Sequence, residues 1–380
     1  MKKIGILTFH KSYNCGSMMQ TFALQTTIKK IGGNPEIIDF SNEGQKKLYQ
    51  VMFPNNSIKN VVKNIILYPH KKRIQENNEK YEKFINDYFE LSNGKFSLID
   101  ELSEENYSTI IAGSDQIWNI TIDDADDAYF LPWVKKAKKI AYAPSFGAKN
   151  IMEHTKNIAK YKAFLNDFDF ISIRENNGKK WIKDLIDKDV PVVLDPTLLL
   201  DENEYSVLIK NQLTLPEKFI FYYSPHYENE INTLVENISK KLNMPVIGFN
   251  SKTFFVKMMN LKGFKLPDFE DPSIYLELIK KSEIVITTSF HGTIFSSIFK
   301  KKFWVVKNGG MLKSDDRVQT LATDLDLLDR VISIKYDDSF DYNKEKNYDK
   351  YNKLLSEKRI QSMDYLEKAL LKGEINESSK

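Results

Sequence analysis

Apolar and polar positions fall into alternating blocks along this chain. Short apolar runs that read as strands are followed by amphipathic stretches that read as helices, the pattern of a parallel sheet with crossover helices. Lys3–Thr8 (KIGILT) predicts a first strand, residues 18–31 a helix closed by Gly32-Gly33, and Glu36–Asp39 a second strand. A long lysine- and glutamate-rich region follows. In it Tyr81, Phe84, Ile85 and Tyr88 stand at i, i+3, i+4 and i+7, one face of a helix. Strands are expected again at 108–112, 139–143, 168–173 and 191–194.

A second set begins near Lys218. Strands are expected at 219–223, 245–248, 284–288 and 302–306, and helices at 228–242 and 273–281. Asp271-Pro272 has the form of an N-cap with proline at the first helical position. The two sets meet in the polar stretch 201–217, and residues 348–372 have helical periodicity. These features divide the chain into an N-terminal α/β domain over 1–210 and a second over 217–340. A helical tail over 341–380 packs back on both, its last residues, 374–380, fraying.

Composition narrows the class. The 380 residues are 42% hydrophobic and 28% charged, ordinary for a globular chain able to bury sizeable cores. A formal net charge of only +3 argues against a nucleic-acid partner, which would call for a concentrated basic excess. Cys15 stands alone, so no intramolecular disulfide can form, which fits a reducing compartment. The first apolar run is too short for a signal peptide, and no stretch reaches the roughly 18 apolar residues of a membrane span. The expectation is a cytoplasmic protein, with peripheral contact at the inner membrane face left open and the oligomeric state unassigned.

In open parallel sheets ligands bind beyond the carboxyl ends of the strands, so candidate chemistry is sought there. After the first strand comes His10-Lys11-Ser12-Tyr13-Asn14-Cys15-Gly16-Ser17, a polar loop feeding a helix N-terminus, read either as a ligand loop or as an ordinary one. After 108–112 comes Gly113-Ser114-Asp115-Gln116-Ile117-Trp118-Asn119. Here Asp115 can take a proton or hold a sugar hydroxyl, and Trp118 can stack on a sugar ring or fill a core. Arg174, after 168–173, offers a planar fork for a carboxylate or phosphate, or else a salt bridge to the next helix. Asp195 reads as a turn cap or a cleft carboxylate. After 284–288 stands Ser289-Phe290-His291-Gly292-Thr293, which places His291 at a strand-to-helix turn as an acid–base candidate. Asp123, Asp124, Asp126 and Asp127 read as a solvated loop rather than a metal site, the run from His70 to Arg73 as a solvated face, and His70, His154 and His226 as bland.

Taken in order, the blocks KIGILTFHKSYNCGSMMQTFALQ, IIAGSDQIWN, KKIAYAPSFG, ISIRE, VVLDPTLLL and VITTSFHGTIFSSIFKKKF resemble the polysaccharide pyruvyl transferase family, from Lys3 to Phe303. The resemblance implies a glycosyltransferase-B-like α/β fold, two Rossmann-like domains with the site in the cleft between them. It implies transfer of a pyruvyl group from phosphoenolpyruvate to a sugar of a cell-surface polysaccharide or its lipid-linked precursor, with no metal and no organic cofactor. His291 becomes the catalytic candidate, with Asp115, and Arg174 the donor-binding one, with Ser289, Phe290, Gly292 and Arg317 beside it. Asn14, Gly16, Ser17, Gln116, Trp118 and Asp195 are assigned to the acceptor. The family pattern S-R-L-H-G has arginine two residues before the histidine, where this chain has Ser289, and G-D in the first loop, where it has Gly16-Ser17. Arg317 or Lys307 would then supply the missing charge. The alternatives are a glycosyltransferase with a nucleotide-sugar donor and a non-catalytic glycan-binding relative.

Overall fold

The computed structural model describes residues 2–307 and 316–371. It contains two parallel sheets. The first is built from β1 (Lys3–Leu7), β2 (Pro35–Phe40), β3 (Leu91–Phe96), β4 (Tyr107–Ala112), β5 (Lys138–Ala141) and β6 (Phe170–Ile171), in the order 3-2-1-4-5-6. The second is built from β7 (Ile220–Tyr223), β8 (Val246–Ile247), β9 (Ile284–Thr287), β10 (Lys302–Lys307) and β11 (Val331–Ser333), in the order 11-10-9-7-8. Both orders reverse next to a central strand, between β1 and β4 and between β9 and β7. Such reversals open a crevice at the carboxyl edge.

The central strands are apolar runs because helices cover both faces of the sheets. Ile110, Ile111 and Ala112 of β4 are fully buried, as are Val285 and Ile286 of β9. The sheets share a core: Ile6, Met18 and Leu24 of the first half belong to one hydrophobic cluster with Tyr275, Ile294 and Phe295 of the second. The final helix, Asp349–Leu371, ties the halves together. Its Tyr351 hydroxyl meets Ser297 Oγ at 2.9 Å, its Ser362 Oγ accepts from the Leu194 amide at 3.0 Å, and its Tyr365 donates to the Ala141 carbonyl at 2.9 Å.

Three expectations need correction. Residues 191–194 form no strand; only Val192 bridges Ile173. The strand expected over 168–173 shortens to Phe170–Ile171, and β3 and β11 were not expected at all. β3 (LSNGKF) pairs only with β2 and carries polar residues and a glycine, so neither period nor apolar content marks it. The expected fraying of 374–380 lies outside the described residues.

Candidate active site

Five segments converge where the carboxyl edges of the sheets face each other: those after β1, β4, β6 and β9, and the Asp195 turn. The helix Cys15–Lys30 starts after the β1 loop, and its first turn is capped by the Asn14 side chain, which accepts from the Gly16 and Ser17 amides at 2.9 and 3.4 Å. That bond occupies the Asn14 oxygen. Lys11 and His10 are also engaged: Lys11 Nζ lies 2.9 Å and His10 Nε2 3.1 Å from Asp39 Oδ1. The cation of this loop therefore serves Asp39 and holds it near the bottom of the carboxylate range. Burial opposes the shift, and the charges of His10 and Lys11 with their hydrogen bonds bring the pKa to about 2.

At the end of β4, Asp115 adopts a left-handed backbone (φ +73°) that turns its side chain towards the first helix. It accepts from the Ser17 hydroxyl and from the Gln116 amide. Opposite it stands Arg174. Its Nη1 donates to Asp195 Oδ2 at 2.7 Å, and its Nη2 is 3.6 Å from Asp115 Oδ1. Asp195 also caps its own turn by accepting from the Thr197 amide and hydroxyl. Both readings of Asp195, cap and cleft carboxylate, thus hold at once. Burial alone would raise its pKa; His291, Arg174 and Thr197 outweigh burial and hold the carboxyl well below the usual range.

The second half supplies the other wall. Ser289 caps the helix Phe290–Ile298, its Oγ accepting from the Gly292 amide at 3.3 Å. The hydroxyl that replaces the expected arginine therefore serves the helix, and the Gly292 amide is taken. The Phe290 ring lies over the Arg174 guanidinium, 4.6 Å from its centroid. His291 Nε2 stands 3.5 Å from Asp195 Oδ2, and the imidazole packs on Gly16, where an added β-carbon would lie 2.2 Å from Nδ1. Arg317 lines the same crevice with Arg174, Asp195 and Phe290. Three buried polar atoms at the centre have no hydrogen-bond partner: Arg174 Nε, Arg174 Nη2 and His291 Nε2. Buried polar atoms left without a hydrogen bond are expensive and mark where a polar ligand would be welcome.

The sequence candidates separate accordingly. Asp115, Arg174, Asp195, His291, Gly16, Ser17 and Phe290 come together. Trp118 does not join them: it is fully buried against Phe130 and Phe146, with Nε1 donating to the Tyr129 carbonyl, so it fills the core and presents no face to a sugar. Gln116 binds Asn119 at 3.2 Å on the loop side. Lys307 is exposed at the end of β10. The acidic loop is less solvated than expected: Asp124 is only 7% exposed, and burial with the charges of Asp115 and Asp123 pushes it up to about 6. His70 is also more engaged than expected, stacking on Phe255 with centroids 3.4 Å apart.

Glu175 was missed. It precedes the helix Asn176–Ile186 and so reads as a cap, yet its side chain does not cap. It turns inward and accepts from Ser145 Oγ and the Phe146 amide, both at 2.9 Å, and burial pushes its pKa up to about 7 against the opposing charges of Arg174 and Arg317. Its neighbour Arg174 was the available signal.

No curated protein matches the chain. Among solved structures, S. aureus MnaA in complex with UDP is 11% identical, covers 97% of each chain and superposes with a TM-score of 0.51, a likeness of fold alone. UDP-GlcNAc 2-epimerase from Methanocaldococcus jannaschii in complex with UDP-GlcNAc and UDP is 12% identical over 98% of this chain and 100% of that one, with a TM-score of 0.47. The E. coli ADP-heptose LPS heptosyltransferase II is 11% identical over 98% and 99%, with a TM-score of 0.36. The two parallel sheets facing across a crevice are the glycosyltransferase-B-like arrangement. A family model, Polysaccharide pyruvyl transferase, matches residues 14–310, a span that takes in every loop of the site from Asn14 to His291. The chain belongs to the polysaccharide pyruvyl transferase family.

Proposed function

We propose that this transferase moves the pyruvyl group of phosphoenolpyruvate onto two hydroxyls of a sugar in a cell-surface polysaccharide or its lipid-linked precursor. The observation that carries this reading is the Arg174–Asp195–His291 cluster, in which the guanidinium has one nitrogen bonded to Asp195, while Nε and Nη2 make no hydrogen bond and Nη2 has only the 3.6 Å ion pair with Asp115. A planar fork with two nitrogens that make no hydrogen bond suits the carboxylate or phosphate of such a donor.

The chemistry asked of the site is modest. The methylene carbon of phosphoenolpyruvate gains a proton, and a sugar hydroxyl attacks the adjacent carbon and loses its own proton. A second hydroxyl then displaces phosphate and closes the ketal. His291 is assigned to proton transfer, worth about 10²–10⁴-fold when well placed. Asp115, bonded to Ser17, orients the acceptor hydroxyl. Arg174 and Phe290 belong to opposite halves, so donor entry lifts the ring from the guanidinium by parting the cleft. Reclosure excludes water, which would otherwise yield pyruvate. His291→Gln should abolish turnover while the thermal midpoint stays within a few degrees; retained turnover removes the assignment.

Ser289 favours a second reading, a nucleotide-sugar donor, because the expected arginine is missing and the hydroxyl there is committed to a helix cap. Competition separates the two. Phosphoenolpyruvate should bind and resist displacement by nucleotide-sugars. A site that takes nucleotide-sugars and ignores phosphoenolpyruvate would transfer a sugar instead.

A further inference from the structure

The helix Ile58–Leu67 is amphipathic, and its apolar stripe faces outward. Ile58 is 85% exposed, Ile65 69% and the following Tyr68 73%, and Val61 and Val62 are exposed between them. These positions share one side of a helix. A soluble helix normally turns such a stripe to the core, and a contiguous exposed one marks an interaction surface.

The charges around it have one sign. Residues 51–75 contain Lys59, Lys63, Lys71, Lys72 and Arg73 and no acid. Residues 251–267 contain Lys252, Lys257, Lys262 and Lys265 and no acid, in a chain whose net charge is only +3. The two segments are one surface. Lys63 and Lys252 hold their ammonium groups 4.5 and 4.2 Å from the centre of the same ring, Phe53. Lys252 reaches back to the Gln50 carbonyl at 2.6 Å, Arg73 donates to Ser251 Oγ at 3.2 Å, and His70 stacks on Phe255. Leu261, 77% exposed, and Met258 extend the apolar area on the second segment. The acids that meet the surface come from outside both segments: Glu76 lies 3.7 Å from Lys72 and Glu236 3.2 Å from Lys262.

We propose that this surface docks on an anionic lipid bilayer, with Ile58, Val62, Ile65 and Tyr68 entering the headgroup boundary and the flanking lysines meeting lipid phosphates. An apolar stripe ringed by cations is the signature of a helix that lies in a membrane interface, and each lysine near an anionic leaflet adds to the attraction. A second copy of this chain fits less well, because facing surfaces of the same sign would repel. The surface also has a position. It spans both halves of the molecule through the Arg73–Ser251 and Lys252–Gln50 bonds, so docking engages both halves at once. The proposal stands independently of the donor chosen at the active site.

Sedimentation of the full chain with phosphatidylglycerol–phosphatidylcholine vesicles tests it, with pure phosphatidylcholine vesicles as comparison. Binding to the anionic vesicles should be at least about tenfold tighter, should fall with salt, and should fall about tenfold in Val62→Glu/Ile65→Glu and in Lys71→Glu/Lys72→Glu. All four side chains are surface residues, and thermal midpoints near wild type would verify folding. Equal binding to both vesicles, binding to neither, or variants that bind like wild type would overturn the proposal. So would a dimer that the Val62→Glu/Ile65→Glu variant dissolves.

Discussion

His291 and Gly16 touch across the cleft: a β-carbon on Gly16 would stand 2.2 Å from His291 Nδ1 and 2.8 Å from its Cβ. Gly16 is needed for this approach, since the histidine side chain sits where any larger residue would project. Gly16→Ala must therefore push the two halves apart or move the imidazole. Overpacking of this kind costs about 1–3 kcal/mol, and displaced imidazole geometry should lower turnover about 100-fold. In a double-mutant cycle, Gly16→Ala should cost clearly less once His291 is alanine, which removes the ring and leaves only the 2.8 Å approach to Cβ. Measured stability losses that simply add would show that the contact does not form.

Glu175 gives the protein an unusual pH response. Its folded-state pKa, about 7, lies above its ordinary value near 4.5, and burial is the main cause. Between those values the folded state holds a proton that the unfolded state has released. Stability from this group is therefore complete below the ordinary glutamate range and falls as pH rises towards 7. The loss is on the order of 3 kcal/mol at most. Glu175→Gln should leave the thermal midpoint nearly unchanged at pH 5 and raise it at pH 8. A variant that is no more stable than wild type at pH 8 would contradict the burial argument. Asp195 acts in the opposite sense: its lowered pKa adds stability above the ordinary aspartate range, which is lost as pH falls below it.

Ser289 accepts from the Gly292 amide and so works for the helix. Ser289→Ala should cost about 1 kcal/mol as a lost N-cap and leave donor affinity within about twofold. Chemical denaturation and donor titration on the same variant check both. Unchanged stability with lost affinity would move Ser289 from the helix to the ligand.

Much of the fold was legible because the central strands carry short apolar runs, Ile110–Ala112 and Ile284–Ile286 among them. Tyr107–Ala112 and Ile284–Thr287 need no partner to be recognised, and turn residues follow them directly. Edge strands such as Leu91–Phe96 are bonded on one side and carry mixed residues, so no local pattern marks them. For the site, the strand-end rule brought out Asp115, Arg174, Asp195 and His291. Trp118 was misjudged for the acceptor because an aromatic after a strand reads the same whether it faces a ligand or Phe130. The inward turn of Glu175 depends on Ser145 and Phe146, which local reading does not connect to it.

Calorimetric titration with phosphoenolpyruvate, comparing wild type with Arg174→Lys, tests the central claim most directly. Lysine keeps the charge beside Asp195, so the protein avoids the cost of roughly 3–5 kcal/mol expected when a buried charge loses its partner, but it removes the two-nitrogen fork. The account predicts binding by wild type and a weakening of about tenfold or more in the variant. No heat from wild type with phosphoenolpyruvate, even with glycan fragments present, or equal affinity in Arg174→Lys, would contradict it.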